Sequence, residues 1–284
     1  MTSTPGSPIS GAAALSELAP KARAVVVGLE CAAWQAMADA ARLDLFDVAS
    51  RVVAAQHGLP ALARPPQFGA SSRAGADASE WRSAHDLSDA DRAALEYAEQ
   101  VSFDVASTQP AQRNALFSEL GADALPFAQA IYIADMLPRA RHAFDVLLGP
   151  STGPDSDGAA EGDVGHLVNE LIRIVPALQA IDAVTTELVR LLGARRHQCR
   201  VCLSVRSHSA MVEGANDAMF DAVADYGTSD FTEKQKAALA FAEAMIRSPA
   251  CIDAAVAATL RDHLSDDACV ELVLDITRNA TNKV

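Results

Sequence analysis

The stretches "DLSDADRAALEYAE" (residues 86–99) and "DFTEKQKAALAFAE" (residues 230–243) share one pattern 144 residues apart. Ala93, Ala94, Leu95, Ala98 and Glu99 recur as Ala237, Ala238, Leu239, Ala242 and Glu243. Ser88 becomes Thr232, Arg92 becomes Lys236 and Tyr97 becomes Phe241. The match runs on without a gap, setting Leu120, Asp123 and Ala124 on Leu264, Asp267 and Ala268. A fixed period of this kind signals a repeated supersecondary unit. Each copy begins with a hydroxyl residue ahead of an apolar helical period, the usual start of a helix. Further helices are predicted near 110–120 and 250–263, and near 122–148 and 265–284. The reading is an all-α fold of two tandem related helical units.

Composition agrees. The chain has 284 residues, with 21% charged and 5% aromatic residues. Alanine, leucine, glutamate and arginine favour helix, and runs rich in β-branched residues are scarce. The formal net charge of -14 argues against a nucleic-acid partner, which needs a basic face. No apolar run approaches the roughly 20 residues that span a bilayer, so no membrane partner is expected. "MTSTPGSPISG" has no signal-peptide pattern and reads as a short disordered tail. The expected location is cytoplasmic. The closing "DITRNATNKV" stops inside a helical period without a stop signal, so the natural chain is expected to run a little further.

The domain reading is an N-terminal repeat over 1–148, an acidic flexible linker over 149–165, and a C-terminal repeat over 166–284. Upstream of the shared pattern the copies diverge. "ARLDLFDVASRVVAAQHG" from Ala41 can be laid on "ARRHQCRVCLSVRSHSAMVEG" from Ala194, which sets Phe46 on Cys199 and Ala49 on Cys202. The first copy therefore lacks the thiols. It carries instead a Pro/Gly/Ser-rich surface loop over 59–81.

Cys199 and Cys202 stand in "RRHQCRVCLSVRSH", crowded by Arg196, Arg200 and Arg206. If Cys199 opens a helix running toward Val212, both sulfurs share the face of its first turn. Free amides there, with the arginines, favour a thiolate, and a second cysteine one turn away can resolve a sulfenic acid. A zinc site would recruit His197 and His208, but four tetrahedral donors are needed, and along a helix His208 lies too far from Cys202 to close the shell. No metal is called for. Two inert buried thiols suit Cys251 and Cys269, set in alanine-rich helical periods, better than this basic pair.

"ELVRLLGARRHQCRVCLSVRS" resembles the core of the alkyl hydroperoxidase D and carboxymuconolactone decarboxylase superfamily, and "DAMFDAVADYGTSDFTEKQKAALAFAEAMIRSP" resembles its continuation. Glu187 precedes Cys199 by twelve residues, as in the peroxidase branch, and Cys202 completes the CxxC. The resemblance covers the second half closely and the first half only through the repeat. It implies an all-helical homo-oligomer that reduces a small-molecule hydroperoxide through a dithiol/disulfide cycle, regenerated by an external thiol reductant and without a cofactor. It implies Cys202 as the peroxidatic thiol, Cys199 as the resolving thiol and Glu187 as a proton relay. One position departs: Arg206 stands four residues after Cys202, where the family keeps a histidine. Arginine is a poor general base but can stabilise a thiolate or bind an anionic group. His197 is an accessory candidate from the other side of the pair, and His208 sits too far around a helix to substitute simply. Two other readings stand beside this one. The first is a non-enzymatic helical oligomer or ligand-binding protein with a vestigial dithiol. The second is a decarboxylase or lactone-processing member of the same superfamily, which would not depend on the cysteines.

Among the remaining candidates, Glu187 on the apolar stripe of Val184, Leu188 and Leu191 would by itself be a surface or capping glutamate, with Thr185 or Thr186 starting the helix. His142, His166 and His263 read as surface residues. Trp34 and Trp81 read as core or interface anchors.

Overall fold

Residues 11–73, 78–150 and 158–283 are described in a computed structural model of the chain, and every regular element among them is helical. The tail over 1–10 and the 151–157 stretch of the linker lie outside the described residues. In chain order the helices are α1 (Gly11–Leu18), α2 (Pro20–Asp39), α3 (Leu43–His57), α4 (Asp89–Asp104), α5 (Pro110–Leu120), α6 (Ala124–Leu148) and α7 (Val164–Ile174). They continue as α8 (Ala183–Arg196), α9 (Arg200–Ser204), α10 (His208–Val212), α11 (Asp217–Ala222), α12 (Glu233–Arg247), α13 (Ala254–Arg261) and α14 (Asp266–Asn279).

The paired sequence stretches form the paired helices α4 and α12, and their starts are built alike. The Ser88 hydroxyl accepts from the Asp91 amide at 3.1 Å, and the Asp91 carboxylate accepts from the Ser88 amide at 3.1 Å. The Thr232 hydroxyl accepts from the Gln235 amide at 3.2 Å, and the Gln235 side-chain oxygen accepts from the Thr232 amide at 3.0 Å. Two amides that a helix N-terminus would otherwise leave bare are thereby bonded in each copy.

The packing is parallel too. α3 lies against α4 and α6, and α8 lies against α12 and α14. The repeated glutamate makes the same tie in both: Glu99 accepts from Gln56 near the end of α3 at 2.9 Å, and Glu243 pairs with Arg196, the last residue of α8, at 2.5 Å. This equivalence differs from the sequence alignment. α3 stands in the place of α8, so the segment after Arg196 that carries the cysteines corresponds to the turn after His57, not to Phe46 and Ala49 within α3. Alanine-rich helices of similar composition slide on one another in sequence; only packing fixes their register.

One hydrophobic core joins all of these helices, from Ala14 to Ala280. α6 is its axis. Phe127, Ile131 and Ile133 on it are fully buried, and the Tyr132 hydroxyl donates to the Thr277 carbonyl of α14 at 2.8 Å. The Arg139 guanidinium, 1% exposed, donates to Asp135 at 2.9 Å and to the Met245 and Ile246 carbonyls at the end of α12 at 3.0 and 2.6 Å. His57 closes the group against Asp135 at 2.8 Å. α7 packs on α2. The segment before α7 docks there through a bond from the Ala160 amide to the Ala24 carbonyl at 2.8 Å. Gly28 allows that approach, since a Cβ there would lie 2.4 Å from the Ala160 carbonyl oxygen. Trp34 and Trp81 are both buried, and so belong to the core. Within the 59–81 loop, Leu62 is buried as well, and its amide donates to the Ser50 hydroxyl at 3.2 Å.

Candidate functional site

α8 is started by Asp182, whose carboxylate accepts from the Thr185 amide at 2.8 Å. Neither threonine is the cap. His197 caps the end of α8, and Gln198 then adopts a left-handed φ of 49°, a conformation costing a non-glycine residue about 1–2 kcal/mol. This reversal delivers Cys199 as the cap of α9, with its sulfur accepting from the Cys202 amide at 3.3 Å. Cys199 and Cys202 are joined as a disulfide, their Cα atoms 5.3 Å apart, within the span such a bond requires. Both are partly exposed.

The expected helix from Cys199 to Val212 is broken. α9 stops at Ser204, Val205 is extended, and Ser207 caps a new helix, α10. The bends are held from below by Arg190. It donates to the Cys202 carbonyl at 2.7 Å, to the Val205 carbonyl at 2.8 Å, and by two bonds of 2.7 Å to the Glu187 carboxylate. Glu187 is 2% exposed and also accepts from the Ser207 amide at 3.1 Å. It is thus neither a surface residue nor a cap. A buried carboxylate is costly without such partners. Arg190, the bridge between Glu187 and the dithiol loop, has no counterpart in the sequence argument. Its signal was its position three residues after Glu187 on the same helix face.

The other predicted residues fall as follows. Arg206 donates to the Leu203 and Val205 carbonyls at 2.5 and 3.0 Å and lies over the Phe220 ring at 5.0 Å. His197 and Cys199 line one cleft of about 480 Å³, walled on the far side by Tyr97, Phe117 and Leu125 of α4, α5 and α6. His208 is exposed at the first residue of α10. Among the free cysteines, Cys269 is buried in α14, where burial pushes its thiol up to about 12. Cys251, expected inside a helix, is instead exposed in a short 3-10 turn after Pro249. His166 and His263 are exposed, whereas His142 is half-buried.

Beneath the dithiol loop lies a larger cleft, about 830 Å³, shared by Glu187, Arg190 and Arg206 with Lys234, Glu271 and Asp275. Glu271 and Asp275 lie one turn apart on α14 and are 3% and 2% exposed. Burial raises the pKa of each. For Glu271, amide bonds from Ala180 and Ile181 oppose the rise and the Asp275 charge adds to it. For Asp275, Arg278 opposes it. Gln179, which presents the Ala180 amide, has a left-handed φ of 55°. These two acids escaped the sequence reading, although two carboxylates four apart in the apolar run of α14 mark a polar face toward a cavity. Among the described residues, no helix is long and apolar enough to cross a membrane.

Among known proteins, no family model and no solved structure matches the chain. Two curated relatives match. They are Uncharacterized protein Rv2313c of Mycobacterium tuberculosis strain ATCC 25618 / H37Rv and Uncharacterized protein MT2376 of strain CDC 1551 / Oshkosh. Each is 40% identical over 204 residues, which is 69% of this chain and 72% of the relative.

Proposed function

We propose that this chain, which belongs to the same family as those two Mycobacterium tuberculosis proteins, is a thiol oxidoreductase that reduces hydroperoxides through Cys199 and Cys202. The observation that carries the reading is the cysteine pair itself. The two sulfurs are one turn apart and partly exposed, and Cys199 opens on a cleft with an apolar wall. That cleft opens on the Cys199 sulfur and so suits an external reductant, while Cys202, which meets the peroxide, is partly exposed one turn away.

In the reduced protein, the Cys202 thiolate attacks the outer peroxide oxygen. The O–O bond breaks, the leaving alkoxide takes a proton to become the alcohol, and Cys202 becomes a sulfenic acid. The Cys199 thiolate then attacks that sulfur, hydroxide leaves and is protonated to water, and the disulfide forms. An external dithiol supplies the two electrons that restore both thiols, entering at the Cys199 sulfur on the cleft side. In the disulfide form the Glu187 carboxylate is held by Arg190 and Ser207. There it positions the loop through Arg190, and its proton-relay role belongs to the reduced form. Arg206 braces the turn and adds positive charge beside it.

The same reading takes the parallel packing of α3–α6 and of α8 with α12–α14 as a duplicated unit of the alkyl hydroperoxidase D type, with the dithiol kept in the second copy. It also takes the exposed Val201, Val205, Met211 and Val212 as a surface for self-association, and the cytoplasm as the compartment that keeps the pair reducible. Turnover of tert-butyl hydroperoxide with dithiothreitol tests the activity. The expected result is turnover abolished in Cys202→Ser, with a single sulfenic acid trapped in Cys199→Ser. Undiminished turnover in the double serine variant overturns the reading.

A further inference from the structure

The 480 Å³ cleft on the Cys199 side of the dithiol is walled mostly by the first copy, and its charge is unlike that of the chain. The chain has a formal net charge of -14. No aspartate or glutamate lines this cleft, whereas Arg113 and Arg200 do. Both arginines are exposed, and among the described residues neither has a hydrogen-bond or ion-pair partner. Neighbouring arginines are answered. Arg195 pairs with Asp221 at 3.6 Å, and Arg196 and Arg247 pair with Glu243 at 2.5 and 3.5 Å.

Tyr97 is a second, independent mark. It is 6% exposed and lines the cleft, and among the described residues its hydroxyl has no hydrogen-bond partner. Burial raises its pKa and the Arg113 charge opposes the rise, so the guanidinium stands near the phenol. In the register of the repeat, Tyr97 falls on Phe241 and Arg113 on Ala257, both buried. These polar groups thus belong to the copy without the thiols, yet they line one cleft with the Cys199 sulfur of the other.

Two guanidinium groups and a phenolic donor suit a carboxylate, which can accept from each. A cleft of one charge sign also raises the local concentration of anions. Phe117 and Leu125, 53% and 52% exposed, give the same cleft an apolar wall for a short carbon chain to cover. The remaining feature is the Cys199 sulfur, where electrons enter. A molecule matching all three is a thiol with a carboxylate at the far end of a short apolar stem.

We propose that the external reductant is such a carboxylate-bearing thiol, its carboxylate at Arg113, Arg200 and Tyr97 and its stem against Phe117 and Leu125. The assignment rests on the disulfide cycle proposed above and names the electron donor for it. The thiolate attacks the Cys199 sulfur, the bond to Cys202 breaks, and Cys202 leaves as a thiolate and takes a proton. A second thiol, of the same molecule or another, attacks the reductant's sulfur in the mixed disulfide. Cys199 leaves and is protonated, and the reductant departs as its disulfide.

The probes are 6-mercaptohexanoate, 6-mercapto-1-hexanol and 6-amino-1-hexanethiol, anionic, neutral and cationic at their far ends at neutral pH. The end group lies far from the sulfur, so their intrinsic reactivities are closely matched. Oxidised protein, with its other cysteines alkylated, is mixed with each thiol at low salt. Opening of the Cys199–Cys202 disulfide is followed by quenched mass spectrometry. The expected order is acid, alcohol, amine, with the acid about fivefold or more faster than the alcohol. Salt at about 1 M shrinks this ratio, because it screens the charges. Arg113→Gln with Arg200→Gln, checked for helical content, brings the ratio to within about twofold of one. Arg261→Gln, at an exposed arginine in a different cleft, keeps the wild-type ratio. Equal rates for the three thiols overturn the site, as does an unchanged ratio in the folded double variant. Either result leaves peroxide reduction standing, since the disulfide still opens. A charge preference that survives in a chain unable to consume peroxide keeps the reductant site and removes the peroxidase reading alone.

Discussion

The start of α3 and the start of α8 each border a polar pocket, and the two pockets treat their carboxylates differently. At α3 the pocket is about 380 Å³, and the surface loop fills it with arginines. Arg64 meets Asp44 at 2.6 Å and Arg73 meets Asp91 at 3.1 Å. Ser72 and Arg64 lower the pKa of Asp44. Burial alone would raise that of Asp91, but Arg73 and Ser88 outweigh it and the net shift is downward. At α8 the cleft is about 830 Å³, and burial leaves Glu271 and Asp275 with raised pKa values. Each pocket has a non-glycine residue of left-handed φ just before its helix, Ala41 in one and Gln179 in the other. Continuing the 144-residue register sets Phe127 and Ile131 of α6, both fully buried, on Glu271 and Asp275 of α14. Phe127 and Ile131 are packed in the core. Glu271 and Asp275 border the open cleft beside the dithiol loop.

The largest effect expected from this contrast lies in the answered network of the first copy. Arg139→Ala strips Asp135 of its guanidinium and frees the Met245 and Ile246 carbonyls. The expected loss in urea unfolding is about 3–5 kcal/mol, as for other buried pairs broken on one side.

Neutralising an acid of the second cleft has the opposite sign. Glu271 has a raised folded pKa, so the folded chain binds its proton more tightly than the unfolded chain does. Its favourable contribution is full below the ordinary carboxylate range and is lost as pH rises through the raised value. Glu271→Gln is therefore expected to raise Tm at pH 7. The gain shrinks as pH falls and the wild-type group takes up its proton. A pH series of melting curves measures both.

The smallest effect belongs to the arginine-filled pocket. Arg73→Ala removes one partly exposed ion pair, with an expected cost of about 1 kcal/mol. The folded pKa of Asp91 is lowered, so its contribution is present above the ordinary aspartate value and lost as pH falls through the lowered one. The variant is expected to lose part of that acid-side slope in the same melting series.

Much of the helical frame was legible in the chain. The repeated helix starts at Ser88 and Thr232, the helix over 110–120, and the two long helices after them follow from local capping and period. The upstream register was not legible, because α3 and α8 are both alanine-, valine- and leucine-containing amphipathic helices, and the ties of Glu99 to Gln56 and Glu243 to Arg196 are what distinguish their alignments. The break at Val205 was hidden for a related reason: no proline or glycine marks it, and it is fixed by Arg190 reaching two carbonyls from another helix. At the site, the cysteine pair announced itself through its basic neighbours. Arg190, Glu271 and Asp275 did not, because each owes its chemistry to what faces it across the cleft.

The account turns on the cysteine pair, and counting thiols tests it most directly. Reduced protein is freed of reductant, given one equivalent of tert-butyl hydroperoxide, and assayed for free thiols and remaining peroxide. The account predicts loss of two thiols per chain, an equal molar loss of peroxide to thiol pairs, and a Cys199–Cys202 disulfide in the peptide map. Peroxide left intact, with both thiols still free, would contradict it.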